Sequence, residues 1–328
     1  MKSFVLTETH KPLEIEERPG LEPAPGEVVV QLKAAALNRR DFWITQGMYP
    51  GIELPIVLGS DGAGVVSKIG AGVDSSWLSK DVIINPGFDW GSSESAQADE
   101  FTILGLPRNG TFATEVSAPV SQLHQKPSGL DWKSAAAVPL AGVTAYRAVF
   151  SQGKLAAGET VLISGVGGGV ATFALQFAVA AGAEVWVTSS SAEKIERAVG
   201  LGAKGGFNYR EDGWENTCPP ADLIIDSAAG SGYANLVALA AQGGRIVNYG
   251  STTGPPEKLD MFKVFWKQLS LIGSTMGSPT NFAGMLSFVE KHKIEPVIDA
   301  TFPLEDCNRA LQQMESSPQF GKYVLQIA

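Results

Sequence analysis

The chain has few of the residues that bind zinc or form disulfides. Its 328 residues include two cysteines, Cys218 and Cys307, and three histidines, His10, His124 and His292. Two cysteines do not suggest a disulfide framework, and reduced thiols are typical of a reducing compartment. The scarcity of histidine also limits zinc chemistry, because zinc sites are built from imidazole and thiolate ligands.

The sequence also lacks long apolar runs and a surplus of positive charge. No run reaches roughly 18 uninterrupted apolar residues, the length of a membrane helix. The start, MKSFVLTETHKPLEI, alternates apolar and polar residues like a strand and does not resemble a signal peptide. The net charge of −9 argues against nucleic acid as a partner, since phosphate binding needs Lys and Arg in excess. We therefore expect a soluble, cytoplasmic protein that binds a small molecule and neither nucleic acid nor membrane.

Two patterns of secondary structure follow one another along the chain, which is long enough for two domains. The first 125 or so residues predict short strands separated by Pro/Gly turns. From about Asp131, helix-length apolar stretches alternate with short strands, as in ETVLISG, GVATFALQFAVAAGA and EVWVTSS. The sequence thus predicts an α/β protein, with a β-rich module and a parallel, doubly wound sheet. The final strand, YVLQI, is expected to complete the first module.

A glycine-rich turn follows the first strand of the predicted doubly wound sheet, in TVLISGVGGGVATFALQFA. Glycines let the backbone turn tightly and approach a pyrophosphate, and the free N–H groups at a helix start favour an anion. Gly165, Gly167 and Gly168 are the main candidates for dinucleotide binding, with Gly169 beside them. Val170, which stands where the G-x-G-x-x-G pattern has its third glycine, is also a candidate for cofactor binding.

The segment VWVTSSS, residues 185–191, ends the next predicted strand without an acidic residue. An acid there would accept hydrogen bonds from a ribose 2′-hydroxyl and repel a 2′-phosphate. Ser189 and Ser190 are neutral and can donate to a phosphate. Lys194 adds a positive charge, and Tyr209 follows the next predicted strand. This set predicts NADP(H) as the cofactor.

These segments, taken together, resemble the zinc-free branch of the medium-chain dehydrogenase/reductase family, the quinone oxidoreductase-like proteins. The resemblance spans nearly the whole chain and includes PAPGEVVVQLKAAALNRRD, GMYPGIELPIVLGSDGAGVVSKIGAGV, AAAVPLAGVTAYRA, the glycine turn, NYRED, GGRIVNYGSTTG and FGKYVLQI. It implies a GroES-like catalytic domain, residues 1–125 completed by residues 270–328. It also implies a Rossmann NADP-binding domain, residues 126–269, with the active site in the cleft between the two domains.

The resemblance also bears on zinc. Metal-dependent relatives have a cysteine where this chain has Asn38, and Gly-His-Glu where it has Gly59, Ser60 and Asp61. An amide and a hydroxyl are poor substitutes for thiolate and imidazole at a tetrahedral zinc site. The segment 88–110, where such relatives carry four cysteines for structural zinc, has none. We therefore expect neither catalytic nor structural zinc.

Matching motif positions imply the remaining site residues. The catalytic candidates are Asn38 and Asp41 of NRRD, beside nicotinamide and substrate, together with Tyr49 of GMYP. Four more positions are expected to contact the cofactor and four to line the substrate pocket. The cofactor contacts are Thr144, Gly250, Ser251 and Lys322, and the pocket residues are Trp43, Ser60, Trp90 and Met276.

Without zinc to polarise an alcohol or aldehyde, hydride transfer must rely on hydrogen-bond donors and on positioning. Conjugated acceptors suit this situation, because hydride can reach an enone β-carbon, or a quinone, while charge develops on the carbonyl oxygen. We therefore expect an NADPH-dependent quinone or enone reductase, in which Asn38, Tyr49 or a cofactor hydroxyl stabilises that charge. His124 and His292 have no evident catalytic setting, so acid–base catalysis by histidine is not expected.

Two other functions stay open, and one assembly is expected. An enoyl-thioester reductase would need a basic entry for the carrier phosphate, and the sequence has no evident cluster of that kind. A non-enzymatic NADPH-binding or regulatory protein, like the lens crystallins recruited from this family, is the second alternative. The segment LSLIGSTMG, residues 269–277, predicts an edge strand of the Rossmann sheet. In the family this strand meets its twin across a two-fold axis, so we expect a homodimer.

Overall fold

The computed structural model describes residues 1–316 and 319–327, and the chain divides into two compact units. Unit 1 comprises Met1–Ala141 with Ser278–Ala328, and unit 2 comprises Gly142–Gly277. Unit 1 therefore contains segments from both parts of the chain that flank unit 2. None of the helices in the described part of the chain is both long and apolar enough to cross a membrane.

The strands and helices are numbered separately along the chain. The strands are β1 Lys2–Leu6, β2 Glu14–Glu17, β3 Glu27–Ala36, β4 Ile56–Val57, β5 Asp61–Ile69, β6 Asp81–Ile84, β7 Gly87–Phe88, β8 Thr102–Ile103, β9 Glu115–Pro119, β10 Leu123–Gln125, β11 Thr160–Ile163, β12 Glu184–Ser189, β13 Gly205–Asn208, β14 Ala221–Asp226, β15 Ala240–Asn248, β16 Ser270–Gly273, β17 Ile298–Pro303 and β18 Lys322–Gln326. The α-helices are α1 Arg39–Thr45, α2 Trp132–Ala137, α3 Pro139–Tyr146, α4 Gly169–Ala180, α5 Ala192–Gly200, α6 Tyr233–Leu239, α7 Met261–Trp266, α8 Pro279–His292 and α9 Cys307–Gln313.

Unit 1 is built around the long strand β3. Its main sheet has the order β10-β6-β5-β3-β18-β17, and β9 also pairs with β3. Val28, Val30 and Leu32 of β3 are fully buried, so this strand lies in the core of the unit. Strands β5 and β18 flank its end, where Ala36 pairs with Asp61 on one side and Val324 on the other.

Unit 2 is a parallel sheet with the order β13-β12-β11-β14-β15-β16. Numbered within the unit, this is the order 3-2-1-4-5-6 of the doubly wound dinucleotide-binding fold. Val161, Leu162 and Ile163 of β11 are fully buried, as the near-continuous apolar strands of a covered parallel sheet require. The predicted α/β class and the doubly wound sheet are confirmed, and β16 lies at one edge of that sheet.

The compact units differ from the predicted domain ranges at both boundaries. Helix α2 falls in the predicted Rossmann range, but it packs on β3, β5 and β18 of unit 1. Strand β16 falls in the predicted GroES-like range, but it pairs with β15 of unit 2. Each boundary therefore lies farther along the chain, at 141/142 and 277/278.

Candidate active site

Asn38 lies in the turn between β3 and α1 of unit 1. Its backbone is extended, with φ −126° and ψ 155°, and helix α1 begins at the next residue. The Asp41 carboxylate accepts a hydrogen bond from the Asn38 backbone N–H at 2.7 Å, which satisfies a backbone donor at the start of the helix. This contact fixes the turn and leaves the Asn38 amide side chain for other partners.

The sheet order brings Lys322 and Asp61 to the Asn38 side chain. Lys322 begins β18, Asp61 begins β5, and both strands pair with the end of β3 that leads into Asn38. Lys322 Nζ donates to Asn38 Oδ1 at 2.6 Å and to Asp61 Oδ2 at 2.9 Å, and Asn38 Nδ2 donates to Asp61 Oδ2 at 2.9 Å. The three side chains form a closed hydrogen-bonded ring.

This ring is buried and well paired. Lys322 is 4% exposed, Asn38 6% and Asp61 0%. The second carboxylate oxygen, Asp61 Oδ1, accepts from the Leu140 backbone N–H at 2.8 Å. A buried ion pair is stable only when such additional hydrogen bonds satisfy it. The charges of Lys322 and Asp61 also fix the orientation of the Asn38 amide, because its oxygen faces the ammonium and its nitrogen faces the carboxylate.

Tyr49 and Ser60, predicted as a catalytic and a pocket residue, both contact Arg40. Arg40 Nη1 donates to Ser60 Oγ at 2.7 Å, and Arg40 Nε donates to the Tyr49 hydroxyl at 3.4 Å. The Arg40 guanidinium lies 5.0 Å from the centre of the Tyr49 ring. The structure therefore brings these two predicted residues together through an arginine that the sequence analysis did not select.

The other two pocket candidates of unit 1 have different surroundings. The ring of Trp43 lies 5.2 Å from that of Phe42 and 5.6 Å from the Arg39 guanidinium. Trp90 is buried, its indole Nε1 donates to the Ser93 carbonyl at 2.9 Å, and its ring lies against Phe101 at 5.2 Å. These contacts are of the kind that packs a loop, and the assignment of both tryptophans to a substrate pocket stays a prediction.

The glycine turn of unit 2 joins the end of β11 to α4. Gly165 and Gly167 have positive φ angles of 63° and 150°, which glycine adopts freely, and Gly168 is the residue before α4. Gly169 and Val170 form the first turn of that helix. Apart from the adjoining residues in the chain, none of the described residues has an atom within 4 Å of the position a Cβ would take at Gly165 or Gly168. The turn thus leaves open space at a helix N-terminus, the arrangement that suits a pyrophosphate.

The end of β12 brings together the residues predicted for the 2′-phosphate. Ser189 is buried, and its hydroxyl accepts from the Ser191 backbone N–H at 3.2 Å. Ser191 is the N-cap of α5, since its hydroxyl accepts from the Lys194 backbone N–H at 3.3 Å. The Tyr209 backbone N–H donates to the Ser189 carbonyl at 3.2 Å. Ser190, Lys194 and Tyr209 therefore surround one strand end.

The remaining predicted residues of unit 2 lie in two places. Thr144 Oγ1 lies 3.9 Å from the sulfur of Met276, so these two residues meet, and Met276 has a positive φ of 43°. Gly250 and Ser251 follow β15. The Ser251 hydroxyl donates to the Gly254 carbonyl at 2.7 Å, which closes a turn.

Sequence reasoning missed the part that Asp61 and Arg40 play. Both are buried charged residues, and both stand inside motifs that the sequence analysis quoted, Asp61 in GSDGAG and Arg40 in NRRD. Their partners come from other strands and loops. A charged residue that begins an apolar strand, as Asp61 does, was the one available signal.

Asp41 is a buried carboxyl with one unsatisfied oxygen. Burial raises its pKa to about 6, against the opposing effects of the Arg40 guanidinium and the Asn38 backbone N–H. Asp61 adds to the increase, and Lys322 opposes it. Within the described residues, Asp41 Oδ1 has no hydrogen-bond partner, so a proton on this oxygen costs no existing contact.

Asp41→Asn should change how stability depends on pH. Because the pKa of Asp41 rises from 3.8 to about 6 on folding, the stabilisation is complete below pH 3.8 and is lost as pH rises through about 6. Relative to wild type, the free energy of unfolding of the variant should gain on the order of 1–3 kcal/mol between about pH 4 and about pH 7. Urea unfolding at each pH measures it.

The control for this experiment is Asp74→Asn. Hydrogen bonds from Ser76 lower the pKa of the exposed Asp74, so its stabilisation is lost as pH falls, in the opposite direction. Parallel pH profiles for wild type and Asp41→Asn would contradict the assignment of this proton to Asp41.

Two family models match the chain. The model described as an alcohol dehydrogenase GroES-like domain matches residues 24–128, which lie in unit 1. The model described as a zinc-binding dehydrogenase matches residues 169–291. The expected GroES-like domain is thus confirmed, in addition to the parallel sheet of unit 2.

Individual relatives match almost end to end. The chain is 36% identical to the zinc-type alcohol dehydrogenase-like protein YogA of Leptosphaeria maculans, over 93% of this chain and 92% of the relative. It is 27% identical to acryloyl-coenzyme A reductase of Sulfurisphaera tokodaii, over 99% of each. A crystal structure of an NAD-dependent alcohol dehydrogenase has a TM-score of 0.94 at 36% identity and covers 100% of both chains. The protein therefore belongs to the medium-chain dehydrogenase/reductase family, whose members are oxidoreductases that use a nicotinamide cofactor.

Proposed function

We propose that the protein is an NADPH-dependent reductase that transfers hydride to a quinone or an α,β-unsaturated carbonyl compound without zinc. The observation that carries this proposal is the Asn38 amide, which Lys322 and Asp61 hold in one orientation. Its nitrogen makes one hydrogen bond within the described residues, so a second N–H is left to donate. A preoriented donor suits a carbonyl oxygen on which negative charge develops. When bound, NADPH supplies the hydride.

The residues at the expected metal position do not fit zinc. Asn38 Oδ1 already accepts from Lys322 Nζ at 2.6 Å, and Ser60 Oγ accepts from Arg40 Nη1 at 2.7 Å. A zinc ion would have to approach two positive charges and compete with them for the same neutral oxygen atoms. Across residues 1–316 and 319–327, no three His, Cys, Asp or Glu side chains are grouped to hold a metal ion. We therefore propose a zinc-independent reaction, although one matching family model is described as zinc-binding.

NADPH is the cofactor that unit 2 fits best. The open space at Gly165 and Gly168 and the N-terminus of α4 would hold the pyrophosphate. Beyond β12, Ser190, Lys194 and Tyr209 would surround the 2′-phosphate, and no carboxylate stands at residues 189–191 to repel it. One relative of known structure is described as NAD-dependent. The neutral end of β12 nevertheless favours NADPH for this chain.

An enoyl thioester is the second candidate acceptor. The similarity to acryloyl-coenzyme A reductase supports it, since that name describes reduction of a conjugated C=C bond. The chemistry at Asn38 would be the same, because a thioester carbonyl oxygen also gains negative charge when hydride adds to the β-carbon. A third possibility, NADPH binding without turnover, is separated from both by the assay described below.

We also propose a homodimer formed through unit 2. Strand β16 lies at the edge of the sheet, and helix α7 before it exposes Phe262, Phe265 and Trp266 by 61%, 61% and 65%. Phe262 stacks on Trp266 with ring centres 5.8 Å apart, so the cluster is an apolar patch beside an open edge. Both features favour association, and a second copy of the chain would cover both.

A cytoplasmic location completes the proposal. Cys218 and Cys307 are both free and buried, and burial raises the pKa of each thiol. Such thiols are unreactive and suit a reducing compartment.

Asn38→Ala should lower kcat/KM for enones or quinones by roughly one to three orders of magnitude, about 1.4–4 kcal/mol. The reason is that the variant loses the oriented N–H donor, while NADPH affinity stays nearly intact because its proposed pyrophosphate and 2′-phosphate contacts lie in unit 2. NADPH oxidation is followed with quinones, alkenals, enones and enoyl thioesters after dialysis against a chelator. Elemental analysis of the same sample should show no zinc.

Asn308→Ala is the matched control, since the Asn308 amide makes two hydrogen bonds to the Leu13 backbone in the same unit. It should lower stability and leave kcat/KM unchanged. Deuterium from 4-labelled NADPH should appear on the β-carbon of an enone product. Label at a carbonyl carbon, or oxidation of simple alcohols with no reduction of any conjugated acceptor, contradicts the reaction class. NADPH binding without any turnover identifies the binding protein instead.

Ser189→Asp should weaken NADPH binding by roughly tenfold or more, because it places a carboxylate beside the proposed 2′-phosphate position. The aspartate can still accept from the Ser191 backbone N–H, as Ser189 does, so the fold of the strand end is kept. Calorimetry with both cofactors measures the effect, and NADH is the internal control because its affinity should hold or rise. Equal dissociation constants for NADPH and NADH in the wild type contradict the cofactor assignment.

Phe262→Glu and Trp266→Glu should each shift the protein from dimer to monomer, because they place a charge in the proposed apolar interface. Light scattering over a micromolar concentration series measures the mass. Val199→Glu is the control, since Val199 is 45% exposed on α5 of the same unit and lies outside the patch. A wild type with the monomer mass at all these concentrations rules the dimer out.

A further inference from the structure

Arg40 is a buried guanidinium that the function proposed above does not yet use. It is 8% exposed and is the second residue of α1. Its Nη1 donates to Ser60 Oγ at 2.7 Å and to the Leu104 carbonyl at 3.0 Å, and its Nε donates to the Tyr49 hydroxyl at 3.4 Å. These three contacts hold the planar group in one orientation.

Among the described residues, the charge of Arg40 has no hydrogen-bonded partner of opposite sign. Asp41 is the one carboxylate within 4.0 Å of the guanidinium among the described residues, and its Oδ1 lies 4.0 Å from Nη1, beyond hydrogen-bond distance. The buried carboxylate of Asp61, the residue after Ser60, is paired with Lys322. A buried cation without a hydrogen-bonded counter-ion costs free energy that a bound anion would recover.

One end of the guanidinium is still able to donate. Within residues 1–316 and 319–327, Arg40 Nη2 has no hydrogen-bond partner, and it is not among the buried unsatisfied atoms. The anchored atoms, Nη1 and Nε, hold the group in place, and Nη2 carries two N–H donors. The geometry is that of a fixed donor with a vacant side.

Arg40 also stands among the residues already assigned to the acceptor. It follows Asn38, a catalytic candidate, by two residues and donates to Ser60, a predicted pocket residue. Tyr49, another candidate, lies against its other side. A positive charge therefore lies among the residues proposed to hold the acceptor.

We infer that Arg40 is a catalytic residue whose Nη2 group binds the carbonyl oxygen of the conjugated acceptor and stabilises the negative charge that forms on it. This inference rests on the proposed reductase function and adds a charged donor to the Asn38 amide. When hydride adds to the β-carbon, the C=C pair moves to the bond between the α-carbon and the carbonyl carbon. The C=O π pair moves to oxygen and gives an enolate, which a proton from solvent then converts to the saturated ketone at the α-carbon.

Arg40 keeps its own proton throughout this step. Arginine does not lose its proton in proteins, so the residue acts by charge and hydrogen bonding, not as an acid. Its effect is greatest in the transition state, because the acceptor oxygen is neutral before the hydride arrives. With a quinone, the same contact stabilises the hydroquinone anion.

The test compares Arg40→Met and Arg40→Lys with the wild type. Arg40→Met should lower kcat/KM for an enone by about 10²–10³-fold, the effect of removing one oxyanion donor. Arg40→Lys keeps the positive charge but lacks the planar guanidinium with its several N–H donors. Its kcat/KM should therefore lie between that of the wild type and that of Arg40→Met. Arg309→Met is the control, since Arg309 is an exposed arginine of the same unit, paired with Asp306, and its loss should leave kcat/KM unchanged. NADPH affinity should be the same in all four proteins.

A second readout needs no turnover. The probe is 4-nitrophenol, whose phenolate absorbs at longer wavelength than the phenol, in the presence of NADP⁺. The wild type should bind it as the phenolate below its solution pKa, because Arg40 stabilises the oxyanion. Arg40→Met should bind the neutral phenol or bind more weakly.

The outcomes separate this inference from the proposed function. A wild type that reduces enones but loses less than about threefold in kcat/KM on Arg40→Met overturns the role of Arg40 and leaves the reductase intact. A wild type that binds 4-nitrophenol as the neutral phenol overturns it as well, even where Arg40→Met fails to fold. A wild type that binds the phenolate through Arg40 yet reduces no conjugated acceptor keeps the anion site and rejects the reductase.

Discussion

The buried ion pair between Lys322 and Asp61 is the interaction on which the candidate site depends. Both charges are almost completely removed from water, and removing either partner would leave the other uncompensated in the interior. Their mutual attraction is supplemented by the Asn38 amide, which accepts from one and donates to the other, and by the Leu140 backbone N–H. The pair therefore does more than stabilise unit 1, because it decides which way the amide of Asn38 points.

The strand order of unit 1 makes the ion pair between Lys322 and Asp61 possible. Lys322 and Asp61 are 261 residues apart, and they meet because β18 from the end of the chain inserts beside β3. The doubly wound sheet of unit 2 is thus an insertion in the sequence of unit 1, and both ends of the chain must fold together before Asn38 has its partners. The candidate site at Asn38 therefore forms only when the main sheet of unit 1 is complete.

Sequence patterns predicted the structural features that are set by residues close together in the chain. The alternation of apolar strands and helices gave the parallel sheet, and the glycines after β11 gave the turn with positive φ angles. The approach of Tyr209 to Ser189 also followed, because β12 and β13 are neighbours in a doubly wound order. The domain boundary near residue 126 did not follow, since the alanine-rich α2 has the composition of a Rossmann helix and only its contacts with β3 and β5 place it in unit 1.

The side-chain partners in the candidate site depend on contacts across strands, and here the sequence was insufficient. Lys322 was predicted as a cofactor contact, a role that stays a prediction, and its ammonium is already engaged by Asp61 and Asn38. Asp61 was named only because it stands where metal-dependent relatives have the glutamate of Gly-His-Glu, and Arg40 was only part of the NRRD motif. Neither residue was predicted to belong to the site. No periodicity distinguishes a buried charged side chain from a solvated one when its partner lies on a distant strand.

The charges of the site balance in a way that suits an anionic intermediate. With both carboxyls ionised, Lys322 and Arg40 are matched by Asp61 and Asp41, and the buried group of four is neutral. Asp41 is the member able to change this, because burial raises its pKa to about 6, close to neutral pH. In the proposed reduction, negative charge on the acceptor oxygen would favour protonation of Asp41, because the new charge would repel the carboxylate. In the proposed reduction the buried group would then carry one excess positive charge, which the charge on the acceptor oxygen would balance.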